Sequence, residues 1–225
     1  MTMGISSPIS SAFFSGLGVA FSTGALHKLS EGALVQEETA IHINIGADNR
    51  PSISTQIGLL RRLLHGEGRG ALGEAFSLVS KVSLCKDSDN PIQFMNQGEI
   101  PLVINVDNAD IMATLIKLKQ EIESDGGKQL QFTFVGASEA HILASEIGRA
   151  NIGVILRPVR PFPYTWKSER ILPGPPLTKE NALSTLIRYN VTVGIGIEES
   201  WSARNIRFDA GWVRRVLRSQ VGIMS

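Results

Sequence analysis

Residues 101–127 read PLVINVDNADIMATLIKLKQEIESDGG, and this stretch decides the fold. Its first six residues are nearly all apolar, as expected of a strand covered on both faces. Asn108 follows where a helix needs an N-cap acceptor. Ile111, Leu115, Leu118 and Ile122 then share one stripe at spacings of four, three and four, with Lys117, Lys119 and Glu121 elsewhere, which is the pattern of an amphipathic helix. Gly126 and Gly127 end it, since glycine readily takes the backbone conformation that closes a helix. A strand followed by its covering helix is one βα unit.

The unit repeats downstream. Phe132 to Val135 reads as a strand, Ser138 as an N-cap, Glu139 to Ala150 as a helix and Ile152 to Leu156 as the next strand. Thr178 begins another helix with Leu183, Leu186 and Ile187 on its apolar face; Val191 to Ile197 is a strand and Ser202 to Arg218 a final helix. Upstream, Gly18 to Phe21 and Thr39 to Ile45 read as strands, and Ser54 to Leu64 as a helix with Ile57, Leu60 and Leu64 inward. Strands alternating with helical periods indicate a parallel sheet with covering helices. The count, about six parallel strands, falls short of the eight that close a TIM barrel. We therefore expect an α/β fold, a partial TIM-barrel-like domain over residues 1–225, with residues 1–34 carrying no clear assignment.

Composition bounds the function. With 43% apolar and 19% charged residues, the chain lacks the signature of disorder. A net charge of +1 provides no field for nucleic acid, and no nucleic-acid partner is expected. Cys85 is the only cysteine, which excludes an intrachain disulfide and a multi-thiolate metal cage. Ile9 to Leu26 is too interrupted by Ser, Thr and Gly for a membrane span, and no basic residue precedes it as in a signal peptide. The expectation is a soluble chain of undetermined localisation. Residues 157–176 hold six of the ten prolines, and a long irregular loop inside a domain is usually functional. Residues 66–73 (GEGRGALG) lack the ending of a P-loop and read as a turn, residues 85–99 read as a polar loop, and GIG at 194–196 is too short for a dinucleotide fingerprint.

Four stretches together resemble the barrel of the amidohydrolase-related (metallo-dependent hydrolase) family. They are AIHINIG with STQIGLLRRLL (residues 40–46 and 54–64), PLVINVDNADIMATL (101–115), VGASEAHILASEIGRANIGVIL (135–156) and VTVGIGIEESWSARNIRFDAGW (191–212). They are similar to the fourth strand and helix, the fifth strand and helix, the sixth βα unit with the seventh strand, and the eighth strand, in the same order over roughly residues 35–215. The nearest likeness is to imidazolonepropionase-like members and to fungal carbohydrate esterase family nine-type proteins.

The resemblance implies metal-assisted hydrolysis of C–N or ester bonds, in which a divalent ion such as zinc activates water and an Asp ending the eighth strand acts as base. The family's ligands are a His-x-His pair on strand one, a Lys or Glu on strand four, and one His each on strands five and six. Here His27, His42, His65 and His141 are isolated, so no His-x-His exists. Strand four presents His42 as the candidate metal ligand, strand five Asn105, strand six Gly136, and the base position Glu198. The candidate catalytic residue is thus Glu198, and the candidate substrate-binding residues are Asn105, Asp107, His141, Arg204 and Asn205. Ordinary structural roles compete with each. His42 and His141 could be satisfied polar side chains, Glu198 and Glu199 solvated, Asp107 and Asp110 capping charges, and Arg204, Asn205 and Asp209 a cluster tying loops together. Arg204 is expected in a buried partnership with Glu198 and Glu199.

The resulting expectation is a hydrolase-derived protein with a degenerate metal site, a pseudoenzyme holding no metal, or zinc if it is active. The alternatives are a non-catalytic binding or structural half-barrel and a truncated gene product. Expected partners are a small-molecule ligand and further copies of the chain, the latter through open sheet edges near residues 18–21 or 39–45 and 191–197, unless Ile9 to Leu26 folds back over one edge.

Overall fold

The computed structural model describes residues 3–6, 12–22, 24–47, 51–65, 100–126, 129–160 and 169–221. The turn read at residues 66–73 and the whole polar loop at 85–99, with Cys85, lie outside these. The strands are β1 (Met3–Ser6), β2 (Phe14–Leu17), β3 (Val19–Ser22), β4 (Leu34–Gln36), β5 (Ile41–Asn44), β6 (Leu102–Val106), β7 (Phe132–Gly136), β8 (Gly153–Leu156) and β9 (Val193–Ile195). The helices are α1 (Ile53–Leu64), α2 (Ala109–Gly126), α3 (Ala144–Arg149), α4 (Ala182–Arg188) and α5 (Ile206–Val221), with 3-10 turns at Ala140–Leu143 and Ser200–Asn205.

Six strands form a mostly parallel sheet in the order β2-β5-β6-β7-β8-β9, as the partial-barrel reading requires. β7 pairs in parallel with β8, Gly136 opposite Leu156, and β8 in parallel with β9, Leu156 opposite Ile195. The strand read at Gly18 to Phe21 exists as β3 but belongs to a separate three-stranded antiparallel sheet, β1-β3-β4. The place beside β5 is taken by β2, which runs antiparallel with Phe14 opposite Ile43 and Leu17 opposite Ile41. The edge expected to be open at residues 39–45 is therefore covered by the N-terminal segment.

Burial corrects the reading of β6 as covered on both faces. Leu102, Ile104 and Val106 are buried, as are Phe132 and Phe134 on β7 and Val154 and Leu156 on β8. The alternate residues, Val103 and Asn105 among them, are only half-buried. The sheet thus has one apolar face and one partly wet face, and Asn105 lies on the second. α2 buries the expected stripe of Ile111, Leu115, Leu118 and Ile122 together with Met112 and Ile116, each such side chain contributing about 1.5–3 kcal/mol when fully buried.

The chain divides into two compact units, Met1–Ile104 with Leu118–Phe132, and Asn105–Lys117 with Thr133–Ser225. In the first, α1 turns inward Gln56, Leu60, Leu63 and Leu64, not Ile57. Gln56 takes that place because its amide clips the turn after β5, accepting from the Gly46 N–H at 3.2 Å and donating to the Gly46 and Pro51 carbonyls at 3.1 and 2.6 Å.

In the second unit three expected helix starts shift. The helix read at Glu139 to Ala150 is a 3-10 turn followed by α3, because the Ser138 hydroxyl bonds Asp107 instead of capping. α4 begins at Asn181, whose Oδ1 accepts from Ser184 N at 2.8 Å while Ser184 Oγ accepts from Asn181 N at 3.1 Å, a reciprocal capping box. Thr178 stays in the preceding turn, accepting from Gly174 N and donating to the Glu180 carbonyl. The final helix read from Ser202 starts as the 3-10 turn Ser200–Asn205 and becomes α-helical only at Ile206.

Candidate functional site

Barrel-type folds place chemistry at the C-terminal ends of their strands, and in the second unit those ends carry polar side chains that meet. Asn105 lies near the end of β6 and Asp107 follows it, Gly136 ends β7, Arg157 follows β8 and Glu198 lies beyond β9. Asp107 Oδ1 accepts from Ser138 Oγ at 2.7 Å, and the Asp107 carbonyl accepts from Glu139 N at 3.2 Å. The turn leaving β7 is therefore fastened to the end of β6. Arg157 Nη2 donates to Asn105 Oδ1 at 3.0 Å, linking the end of β8 to that of β6 across β7. Gly136 makes room for this meeting: at φ +84°, a Cβ there would lie 2.6 Å from Asp107 Oδ1 and 3.3 Å from Asn105 Oδ1.

Glu139, absent from the candidates read in the sequence, is the best-bonded group of the cluster. It is 3% exposed. One oxygen accepts from Ala109 N, in the first turn of α2, at 2.7 Å and from Arg170 Nη2 at 2.7 Å; the other accepts from Arg170 N at 2.8 Å and Arg170 Nε at 3.0 Å. Burial, the largest influence, would raise its pKa, but the Arg170 side chain, the two backbone N–H groups and the Arg170 charge outweigh it and bring the value from 4.5 to about 2. A carboxylate depressed in the fold stabilises above its unfolded value, and that contribution is lost as pH falls from 4.5 toward about 2. Urea melts should therefore show the wild-type chain losing stability over this window faster than Glu139→Gln, which cannot ionise there. Equal slopes would show that the bonds to Glu139 are not kept in solution.

Glu169 behaves oppositely. Burial raises its pKa first, the Ser138 hydroxyl opposes this, and the charges of Asp107, Glu139 and Glu198 raise it further. Burial and like charge both disfavour the ionised form. The His141 ring lies near Glu139 and Arg170 on the 3-10 turn; burial lowers its pKa against an opposing backbone hydrogen bond with Ser138, and its enclosed Nδ1 has no hydrogen-bond partner among the described residues.

The cluster thus gathers Asn105 and Asp107, with Glu198 and His141 at its margin. Arg204 and Asn205 are exposed on the 3-10 turn, so the expected buried partnership of Arg204 is not formed. Ser202 instead ties that turn by donating to the Glu199 carbonyl at 2.7 Å, and Asp209 pairs with Arg160 at 2.8 Å. Asp110 is exposed, 3.6 Å from Arg170, and Asn108 caps α2 as expected by accepting from Asp110 N and Ile111 N. His42 belongs to the first unit, on β5 opposite Gly16, where burial lowers its pKa.

No protein-family model matches the chain. In sequence it is 27% identical over 224 residues to the amidohydrolase tasK of Hapsidospora irregularis, covering 87% of this chain but only 23% of that protein. In fold it matches the crystal structure of an amidohydrolase from Thermotoga maritima MSB8, with a TM-score of 0.56 and 13% identity over 86% of this chain and 50% of that one. The chain is similar to amidohydrolases. It spans under a quarter of the length of the first relative and half of the second.

The residues at these strand ends do not fit the divalent ion of the family pattern. Gly136 offers no donor, and the oxygen of Asn105 is engaged by a guanidinium, a cation where a metal would need a ligand. Among the described residues no three His, Cys, Asp or Glu side chains are grouped to hold a metal ion. Glu139, Arg157, Glu169 and Arg170 are the residues that reading the sequence missed. Arg157 had a signal, since it directly follows an apolar strand where barrel sites are assembled.

Proposed function

We propose that this chain is part of an amidohydrolase-related protein, descended from metal-dependent hydrolases of C–N or ester bonds, in which the strand-end cluster has lost the metal and binds a small polar molecule. Imidazolonepropionase-like and carbohydrate esterase family nine-type proteins are the proposed nearest branches. The observation that carries the reading is the Arg157 to Asn105 bond lying over a side-chain-free Gly136. Carboxamide oxygen is a weak zinc ligand beside imidazole, and here it already serves a cation. What the cluster offers instead is a set of fixed hydrogen-bonding groups: guanidinium N–H from Arg157 and carboxyl oxygens from Asp107 and Glu169. Glu198 retains a carboxylate at the proposed base position.

The test is elemental analysis of purified protein. Less than one zinc per molecule is expected, because a site lacking its imidazoles has little to offset the ion's dehydration. A full equivalent that disappears in His42→Ala would overturn the reading and restore a working metal centre.

A further inference from the structure

We infer that Arg157 anchors a binding site for the carboxylate group of a small ligand, at the ends of β6, β7 and β8. The inference rests on the metal-free reading above and names what would occupy the cluster instead.

The first observation is a contrast among arginines. Arg61, Arg149, Arg160, Arg170 and Arg188 each pair with a carboxylate, Glu121, Glu146, Asp209, Glu139 and Glu180, while Arg204, Arg207, Arg214 and Arg215 are exposed to water. Arg157 is half-buried, and among the described residues it forms no ion pair; its partner is the neutral oxygen of Asn105. Guanidinium does not deprotonate in proteins, so the charge stays. A partly desolvated charge with only a neutral partner is unfavourable unless something supplies the opposite sign. Asn105 holds the fork in place and leaves its charge to a ligand.

The second observation is the path of the side chain. A Cβ on Gly196 would lie 3.5 Å from Arg157 Cβ and 3.7 Å from its Cγ, so the stem runs close against that glycine. At the far end a Cβ on Gly136 would press on Asn105 Oδ1 at 3.3 Å. Two glycines, one on each neighbouring strand end, leave the space in which the arginine extends. Its backbone is fixed as well, since Arg157 N donates to the Gly136 carbonyl at 3.2 Å and Gly196 N to the Leu156 carbonyl at 3.0 Å. The fork is thus presented from strand ends rather than from a free loop.

Chemistry then selects the ligand. A planar guanidinium with N–H groups left unused among the described residues matches a planar carboxylate in two parallel bonds. Glu169 lies close enough to Asp107, Glu139 and Glu198 to feel their charges, so the turns at these strand ends carry several carboxylates. Such surroundings repel a dianionic phosphate more than a singly charged carboxylate.

The experiment uses the full chain, labelled with nitrogen-15, in EDTA at constant ionic strength. The Arg157 Nε–H signal is assigned by its loss in Arg157→Lys and followed during titration with sodium acetate, with inorganic phosphate as a parallel arm. A saturable shift is expected at Arg157 and not at exposed Arg214, with phosphate weaker and Arg157→Gln losing about tenfold in acetate affinity. An Arg157 signal that moves no more than that of Arg214 overturns the site, and the wild-type titration decides this even if the variants fold poorly. Phosphate binding as tightly as acetate overturns the carboxylate assignment. Zinc is measured on the same preparation: a full equivalent defeats the metal-free reading, whereas an unresponsive Arg157 in zinc-free protein defeats only this one.

Discussion

Gly136→Ala should destabilise the chain by about 2–6 kcal/mol, the sum of backbone strain and a broken hydrogen bond. At φ +84° any side chain is strained, at a cost of about 1–3 kcal/mol. The new Cβ would also sit 2.6 Å from Asp107 Oδ1 and 3.2 Å from its Cγ. Asp107 can rotate away, but the oxygen in question accepts from Ser138 Oγ at 2.7 Å. Moving it gives up that bond in a partly buried setting, worth about 1–3 kcal/mol more. In an Asp107→Ala background only the backbone part should remain, so the cost of Gly136→Ala should fall to about 1–3 kcal/mol. Urea unfolding of the four proteins of this cycle measures both parts. A loss below about 0.5 kcal/mol for the single variant would mean that the turn after β7 relaxes freely. The same constraint bears on function. Histidine at this position, as the family pattern has it, meets the same φ and the same carboxylate, so Gly136→His should lower stability and add no zinc.

The elements that could be read from the sequence are those whose signal is local. The β6–α2 unit follows from an apolar run, an Asn cap and a stripe of spacing three and four, all within residues 101–127. The start of α4 was misplaced because Thr178 and Asn181 are both good caps, and only the reciprocal bond from Ser184 distinguishes them. Asn105 and Asp107 were legible as candidates because the family pattern points to the end of that strand. Arg157 and Glu139 were not. Their partners lie 52 and 31 residues away in sequence, at Asn105 and Arg170, and no periodicity records such a meeting. A search for lost metal ligands also looks for missing imidazoles, not for a cation that arrives from another strand. That β2 and not β3 pairs with β5 was hidden for a similar reason: two short segments, 14–17 and 19–22, are separated by Gly18 alone, and either could pair.

Lys119 shows where a local reading errs with energetic consequence, and it yields the other large effect. Its place between Leu118 and Gln120 on α2 reads as a solvated helix flank, yet it is 2% exposed. Its Nζ donates to Glu123 Oε1 at 2.7 Å, and the same oxygen accepts from Leu130 N at 2.8 Å. On a helix surface an ion pair four residues apart contributes about 0.3–0.5 kcal/mol, and its loss would hardly register. Here the ammonium is out of water, so Glu123→Ala leaves a buried charge without its partner and frees the Leu130 N–H. The expected cost is about 3–5 kcal/mol, a large share of the about 5–15 kcal/mol that holds an ordinary domain together. Lys119→Met should behave differently, since it removes the charge and keeps the apolar stem, while Glu123, partly exposed, still accepts from Leu130. Its expected effect is within about 1 kcal/mol of neutral, of either sign. The double variant Lys119→Met with Glu123→Ala should then recover most of the loss seen in Glu123→Ala, because no buried charge remains to be stranded. Denaturant unfolding of the four proteins separates this account from its rival. If Glu123→Ala costs less than about 1 kcal/mol and Lys119→Met restores nothing, the ammonium escapes to water along its flexible stem, and α2 is held by its apolar stripe without help from the pair.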